Sequence, residues 1–213
     1  MRIQLLTSNK DSWIVPYGLI LQTDITSRGH ICKYLYDEDE VEEGDILVFL
    51  SYEKLYRKLS LNQHNLVIHE SDLPKGKGMS PLTWQILEGK NLIPVTLLEA
   101  TQDVDAGNIY KQSFLDLSGD ELNPELKHLQ GLATIDLVLW FIDNYPNSAH
   151  GKTQLGVSTF YPRRSAKDSE LDLDLSIRDQ FNLLRVCDNE RYPAFFHMNG
   201  YKYILKIEKV NNE

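Results

Sequence analysis

The chain has 213 residues, of which 42% are hydrophobic, so it can build one sizeable core with a small appendage. Its net charge of -9 argues against a broad nucleic-acid-binding surface, because phosphate binding needs clustered Lys and Arg. Cys32 and Cys187 do not form a CxxC pair, which favours a reducing compartment. No apolar run approaches the ~18 residues of a membrane span, and the N-terminus lacks a signal-peptide pattern. We therefore expect a cytoplasmic protein with neither a membrane nor a nucleic acid as partner.

The first part of the chain alternates between strand and helix patterns. Arg2–Leu6 predicts the first strand, and Trp13–Leu21 predicts a helix although it contains a proline and a glycine. Further strands are predicted at His30–Tyr36 and Asp45–Leu50, and a helix at Tyr52–Leu61. No GxGxxG motif follows the first strand, so the dinucleotide-binding fingerprint is missing.

The central stretch contains the strongest local signals. Leu66–Ile68 is a short apolar run typical of a buried parallel strand, and it ends at His69. A glycine-spaced turn at residues 76–78 follows, and Ser80 is predicted to cap a helix that starts at Pro81 and stops at Gly89. A strand at Val95–Leu98 and a carboxylate-bearing turn at Gln102–Gly107 complete the stretch.

Two helices and a strand are predicted after this stretch. The clearest helix begins at Asn123-Pro124 and ends before Pro146. Ser176 is predicted to cap a second helix, running through Leu184, and Tyr201–Ile207 alternates like a final strand.

The order of the central motifs carries a family resemblance. Its elements are His69-x-Ser71-x-Leu73-Pro74, Lys77-Gly78, Pro81, Gly89, Val95-Thr96 and Asp105-x-Gly107. This series of spacings resembles the catalytic domain of the folate-dependent formyltransferases, and is closest in type to the sugar N-formyltransferases. The resemblance implies an α/β fold with a Rossmann-like, mostly parallel twisted sheet flanked by helices. It implies a catalytic domain over residues 1–160 and a helix-strand extension over residues 161–213, packed on that domain.

The resemblance also implies an enzyme that uses 10-formyltetrahydrofolate as cosubstrate. Formyl transfer to an amine requires stabilisation of an oxyanion, removal of a proton from the amine and protonation of the departing folate nitrogen. The family assigns a histidine–carboxylate pair to the positions of His69 and Asp105, and a carboxylate within ~4 to 6 Å of an imidazole favours the charged ring.

Val67 departs from the family pattern, which places an asparagine two residues before the histidine. Valine offers no hydrogen-bond donor, and the loss of one oxyanion donor typically costs about 2.7 to 4 kcal/mol. Asn65 lies roughly 13 Å from His69 in a regular strand, so it could serve only if the strand bulges. Ser71, a backbone N–H of residues 76–78, or a water are the other replacements.

Binding roles follow from the same resemblance. The residues expected to contact the folate are Leu73, Pro74, Asp103, Val104 and Gly107, and those expected to contact the substrate are Lys77, Ser71 and Tyr52. Arg163 and Arg164 are most simply structural, with a role in holding substrate phosphates as the alternative. The six histidines show no HxH or HExxH spacing, so no metal site is predicted.

We expect the acceptor to be a small-molecule amino sugar. It would be nucleotide-linked or a precursor of a nonulosonic acid, in surface polysaccharide synthesis. The chain has no room for the C-terminal barrel that grips tRNA in the methionyl enzymes. A formyl-folate hydrolase, a glycinamide ribonucleotide transformylase and a non-catalytic folate-binding module are the alternatives. A homodimer is also an open alternative, because family members often pair through their C-terminal parts.

Overall fold

A computed structural model describes residues 1–210. The strands are β1 (Arg2–Leu6), β2 (Ile31–Leu35), β3 (Gly44–Phe49), β4 (Asn62–His69), β5 (Lys77–Gly78), β6 (Leu92–Glu99), β7 (Ile109–Asp116), β8 (Phe160–Tyr161), β9 (Ala194–Met198) and β10 (Tyr201–Leu205). The α-helices are α1 (Val15–Ser27), α2 (Pro81–Leu87), α3 (Asn123–Asp143) and α4 (Phe181–Val186). Short 3-10 turns lie at Glu38–Glu40, Leu59–Leu61, Asn147–Ala149 and Ala166–Ser169. Over these 210 residues, no helix has both the length and the apolar character needed to cross a membrane.

Six strands form the central sheet, in the order β2-β1-β3-β4-β6-β7. The first four strands in this order run parallel, whereas β6 is antiparallel to β4 and β7 is antiparallel to β6. The carboxyl ends of β3 and β4 therefore meet at the same edge of the sheet. This mostly parallel sheet with flanking helices confirms the predicted α/β fold.

Apolar side chains bury both faces of the sheet, which explains the unbroken apolar runs of the parallel strands. On one face, Leu5 and Val48 belong to the main core, which includes buried residues of α1, α2 and α3. On the other face, Leu6 and Leu47 pack in a smaller cluster with Tyr56. The sheet is thus covered by helices on the first face and by the segment after β3 on the second.

The helix predicted over Tyr52–Leu61 is wrong. Only Leu59–Leu61 forms a 3-10 turn, and no helix precedes it in this segment. The rings of Tyr52 and Tyr56 lie 5.4 and 5.3 Å from the ring of Phe49, so both tyrosines fold back onto the end of β3. Aromatic packing against the sheet therefore overrides the local helical pattern.

Two predicted helix starts also need correction. Ser80 precedes α2, but its backbone is left-handed with φ of 55° and its hydroxyl makes no capping hydrogen bond. A capping side chain requires an extended backbone at that position, so Ser80 cannot cap. The helix predicted from Ser176 begins only at Phe181. The Ser176 hydroxyl accepts from the Asp179 N–H at 3.2 Å and donates to the Asp179 carboxylate at 2.6 Å, so Ser176 caps a separate turn that precedes the helix.

Helix α1 starts and ends later than predicted, at Val15–Ser27. Pro16 lies in the first turn, where its missing N–H costs nothing. Gly18 is required by packing, because a Cβ at that residue would lie 2.5 Å from the Tyr34 hydroxyl.

Strands β7 and β9 were not predicted. Strand β9 pairs antiparallel with β10, so the predicted final strand is one half of a hairpin.

Arg185 joins the C-terminal segment to the rest of the protein. Its guanidinium is fully buried, pairs with Glu121 at 3.2 Å and donates to Asn91 at 2.7 Å and to Asn182 at 2.9 Å. The boundary at residue 160 stays a prediction, and residues 211–213 of the predicted extension lie outside the described residues.

Candidate functional site

A cleft of about 680 Å³ opens where β3 and β4 end. Crevices outside the carboxyl ends of parallel strands are the usual ligand sites of open α/β sheets. Its wall comes from the ends of β3, β4 and β6, from the start of α2, from α3, and from the two segments around residues 163–165 and 186–192. The sheet and helices therefore frame the cleft, and loops line much of it.

His69 is the last residue of β4 and lies on the cleft wall with only 6% of its surface exposed. Its Nε2 is 2.8 Å from the backbone oxygen of Gly76. A carbonyl can only accept, so Nε2 carries a hydrogen and donates it. The other ring nitrogen, Nδ1, lies 3.6 Å from Oδ1 of Asp105. The ring is therefore held from one side by a carbonyl and faces a carboxylate on the other.

Asp105 comes from the loop after β6 and has a left-handed backbone with φ of 51°. Its Oδ2 accepts from the N–H of Gly78 at 2.9 Å, and its backbone oxygen accepts from the side-chain amide of Gln154 at 2.8 Å. Its carboxylate is thus fixed by a neighbouring loop and is 10% exposed. The predicted pairing of His69 with Asp105 therefore corresponds to a real juxtaposition inside a cleft.

Two glycines allow these loops to approach each other. A Cβ on Gly107 would lie 1.8 Å from the backbone oxygen of Glu99, and one on Gly78 would lie 2.4 Å from the backbone oxygen of Tyr161. Both distances are shorter than any real contact, so only glycine fits. The glycines of the two sequence motifs are therefore explained by close backbone packing around the histidine–aspartate pair.

The structure divides the predicted binding residues into two groups. Tyr52, Asp103 and Val104 lie on the cleft wall together with the pair. The others lie outside the wall, and all five are buried: Ser71, Leu73, Pro74, Lys77 and Gly107. A buried Lys77 outside the cleft is poorly placed for a substrate phosphate. The contact roles given to these five residues remain predictions, and their position fits support of the site.

The structure reduces the number of groups that could replace the family asparagine as a hydrogen-bond donor to the formyl oxygen. Val67 lies on the cleft wall. The Asn65 side chain is outside the wall, and its amide donates to the backbone oxygen of Leu59 at 2.9 Å. The N–H groups of residues 76–78 are all used, by Thr159 at 2.8 and 2.9 Å and by Asp105 at 2.9 Å. The Ser71 hydroxyl has no partner within residues 1–210, but it is 1% exposed and outside the wall.

Glu70 is a cleft residue that the sequence analysis missed. It is 8% exposed, and its Oε1 accepts from the Gln130 amide at 2.7 Å. Burial raises the pKa of the Glu70 carboxyl, and the neighbouring His69 opposes that rise. The only signal in the sequence was an acid directly after the histidine, which resembles an ordinary loop residue.

Five cationic side chains also line the cleft: Lys54, Lys127, Arg163, Arg164 and Arg191. Lys127 pairs with Asp188 at 2.6 Å, and Arg163 pairs with Glu53 at 3.0 Å. Arg191 donates to the backbone oxygen of Asp11 at 2.7 Å, and in the described range neither it nor Lys54 pairs with a carboxylate.

No family model matches the chain. Among curated proteins, methionyl-tRNA formyltransferase of Mycoplasmopsis pulmonis is 26% identical over 184 residues, which is 82% of this chain and 60% of that protein. The chain spans 35 to 60% of the length of the curated relatives it matches.

Solved structures share the fold at low sequence identity. Methionyl-tRNA formyltransferase from Clostridium thermocellum superposes with a TM-score of 0.84 at 21% identity, covering 99% of this chain and 94% of that one. HypX from Aquifex aeolicus in complex with tetrahydrofolic acid superposes with a TM-score of 0.75 at 18% identity, covering 97% of this chain and 37% of that one. A sugar N-formyltransferase from Shewanella sp FDAARGOS_354 superposes with a TM-score of 0.71 at 15% identity, covering 100% of this chain and 99% of that one. The chain is therefore similar in sequence to methionyl-tRNA formyltransferases over most of its length, and it shares its fold with solved formyltransferase structures.

Proposed function

We propose that this chain is an N-formyltransferase that moves a formyl group from 10-formyltetrahydrofolate to a primary amine. The observation that carries the proposal is the His69–Asp105 pair, 3.6 Å apart on the wall of a cleft at the end of β4. The curated relatives are methionyl-tRNA formyltransferases, which supports the same reaction type.

The residues of the cleft fit a folate. Its volume of about 680 Å³ lies within the range of small-molecule sites. Phe49, Leu50 and Leu98 give it an apolar wall, and Asp103 and Val104 present an exposed loop beside that wall. An apolar surface next to polar backbone suits a flat heterocycle with a donor and acceptor edge. The fold neighbour HypX is described in complex with tetrahydrofolic acid, which also supports a folate here.

The formyl-folate supplies an activated one-carbon unit, and the chain supplies position and protons. His69 is oriented by the Gly76 carbonyl, and Asp105 is oriented by the Gly78 N–H. An imidazole beside a carboxylate can pass a proton to a leaving nitrogen. His69 would be the proton donor, and Asp105 would keep its ring oriented.

The proposed acceptor is an amino sugar, nucleotide-linked or a precursor of a nonulosonic acid, used for surface polysaccharide. Lys54 and Arg191 on the cleft wall have no carboxylate partner among residues 1–210, so they are available to an anionic group such as a nucleotide phosphate. Tyr52 on the same wall offers a ring surface for a base or sugar.

A second acceptor, methionyl-tRNA, is favoured by the names of the curated relatives. The net charge of -9 opposes it, because tRNA binding needs an extended cationic surface. Both acceptors use the same cleft and the same pair, so the choice between them is a matter of which amine supports turnover.

The test is release of tetrahydrofolate, followed by absorbance, from purified protein and 10-formyltetrahydrofolate. The amines are dTDP- and UDP-linked 4-amino-4,6-dideoxyhexoses, glycinamide ribonucleotide and methionyl-tRNA. We expect release that depends on an amino sugar. His69→Ala and Asp105→Ala should each lower kcat by about 100-fold or more, as expected for loss of acid–base catalysis. His197→Ala and Asp136→Asn, outside the cleft, are the matched controls.

Other outcomes have defined meanings. Release without any amine identifies a formyl-folate hydrolase, and release with methionyl-tRNA or glycinamide ribonucleotide alone replaces the amino sugar. Tight binding of 10-formyl-5,8-dideazafolate with no turnover for any amine identifies a non-catalytic binding module. Unchanged rates in both His69→Ala and Asp105→Ala would show that the pair is not the reaction site.

A further inference from the structure

We propose that Glu70 is the group that takes the proton from the acceptor amine, a role that rests on the proposed formyl transfer and completes its proton transfers. The His69–Asp105 pair is positioned to give a proton to the leaving nitrogen. A different group must accept the proton that the attacking amine loses. Glu70 is the buried carboxyl on the cleft wall beside this pair.

The chain geometry places Glu70 and His69 in the same cleft. Successive side chains of a regular strand point to opposite faces, so neighbours rarely share a pocket. Here β4 ends at His69, and the chain turns at once, with the Ser71 N–H donating to the His69 oxygen at 2.9 Å. Both His69 and Glu70 consequently line the cleft. The end of the strand thus presents an imidazole and a carboxyl side by side.

One oxygen of the Glu70 carboxyl is held, and the other is free for a ligand. Oε1 accepts from the Gln130 amide of α3 at 2.7 Å. The backbone oxygen of Glu70 accepts from the Gln85 amide of α2 at 2.5 Å, which fixes the main chain. Within residues 1–210, Oε2 accepts no hydrogen bond from another side chain. Helix α3 therefore orients the carboxyl and α2 fixes its main chain, while Oε2 is left without a side-chain donor on the cleft wall.

The surroundings suit a base that works near neutral pH. Burial raises the pKa of Glu70, and a catalytic base is most effective when its pKa lies near the working pH. The charged groups that face it are His69, which opposes the rise, and Asp105, which adds to it. From α3, Lys127 lines the same cleft but is paired with Asp188 at 2.6 Å. No unpaired cation of α3 therefore competes for the Glu70 carboxyl.

With Glu70 as the base, both protons that the acceptor loses are accounted for. An alkylammonium acceptor loses two protons on becoming a formamide. The bond between its nitrogen and the formyl carbon forms, and the bond between that carbon and the folate nitrogen breaks. One proton passes to Oε2 of Glu70 and then to solvent, and the other reaches the folate nitrogen through His69. An ionised carboxylate in a cleft also attracts the ammonium form, so Glu70 would select cationic primary amines.

Glu70→Gln tests the role with little change in shape. The amide oxygen can still accept from Gln130, but the second oxygen is replaced by an NH₂ group that cannot take a proton. We expect kcat/KM for the amine to fall by about 100- to 10,000-fold, the usual range for loss of a general base. Binding of 10-formyl-5,8-dideazafolate, measured by calorimetry, should stay within about twofold. Glu70→Asp should restore part of the rate, and Asp136→Asn on α3 should match the wild type.

A second readout does not use turnover. In protein labelled with ¹³C-glutamate, the infrared band of the ionised Glu70 carboxylate should be present in the wild type at the pH of the assay and missing in Glu70→Gln. Methylamine, used as a minimal amine probe and present as methylammonium, should shift that band by contact with the carboxylate.

Each remaining outcome decides the proposal. A Glu70→Gln enzyme with wild-type kcat/KM would overturn it and leave Glu70 as a hydrogen-bonding group. If Glu70→Gln does not fold, a folded Glu70→Asp enzyme with a lowered but measurable rate, or a band that responds to methylamine, supports the role, and absence of both overturns it. A wild type that is inactive with every amine defeats the proposed function instead. In that case, the infrared response alone decides whether Glu70 is ionised and contacts a bound amine.

Discussion

A few backbone atoms determine how the side chains of the site can act. The Gly76 oxygen sets the hydrogen on Nε2 of His69, and the Gly78 N–H holds the Asp105 carboxylate. At this scale, the motif spacing predicted a pairing of His69 with Asp105, and both lie on the cleft wall, while their catalytic role stays a prediction. It missed Glu70, since the partner that distinguishes it, Gln130, lies sixty residues away on α3.

The raised pKa of Glu70 predicts a pH-dependent cost to stability. The folded protein keeps a proton that the unfolded chain releases at its ordinary value of about 4.3. Above that pH, and up to the folded pKa, the native state binds more protons, so its stability falls as pH rises. Glu70→Gln lacks this group, so its free energy of unfolding should increase relative to that of the wild type as pH rises above that ordinary value. Urea unfolding across this range measures the difference, and a constant difference would contradict the assignment.

At the scale of elements, the site depends on loops that pass close to strand ends. The loop after β6 returns so tightly that Gly107 lies against the Glu99 backbone, and β5 pairs with β8 beside Gly78. Strands β1 to β4 and β6 and the helices α2 and α3 were predictable from apolar runs, prolines and glycines, whereas β7 and β9 were not. The helix predicted over Tyr52–Leu61 failed because contact of its tyrosines with Phe49 is a tertiary effect that a local pattern does not contain.

Gly107→Ala should destabilise the protein by steric overlap. The new Cβ would lie 1.8 Å from the Glu99 oxygen, so we expect a loss of about 2 to 3 kcal/mol, typical of overpacking. Gly89→Ala is the matched control, because its Cβ would meet nothing within 4 Å and its cost, about 1 to 2 kcal/mol, comes from the left-handed backbone alone. Urea unfolding compares the two variants. A Gly107→Ala protein at least as stable as Gly89→Ala would show that this loop can move away from β6.

At the scale of the whole molecule, the C-terminal segment closes one side of the cleft. Val186, Asp188 and Arg191 contribute to its wall, and Arg185 attaches this segment by hydrogen bonds to residues near β6 and α3. The sequence predicted that the tail would pack on the catalytic domain. It gave no sign of the buried arginine, because the partners Asn91 and Glu121 are polar residues of loops far apart in the chain.

Arg185→Met should weaken this attachment. Loss of the guanidinium would leave Glu121, which is 12% exposed, without its cation. Removal of one partner of a buried ion pair lowers the free energy of unfolding by about 3 to 5 kcal/mol. Urea unfolding followed by tryptophan fluorescence measures the loss. Arg178→Met, an exposed arginine of the same segment, should stay within about 0.5 kcal/mol of the wild type. Equal stability of the two variants would mean that Arg185 does not hold the tail.

The most direct test of the account is a crystal structure with 10-formyl-5,8-dideazafolate, which carries its formyl group on the nitrogen that reacts. The account predicts that the ring system lies between the apolar wall and the loop of Asp103 and Val104. It also predicts that the formyl group lies within hydrogen-bond reach of His69, at about 2.6 to 3.2 Å. A folate bound elsewhere, or in this cleft with its formyl group turned away from His69, Asp105 and Glu70, would contradict it.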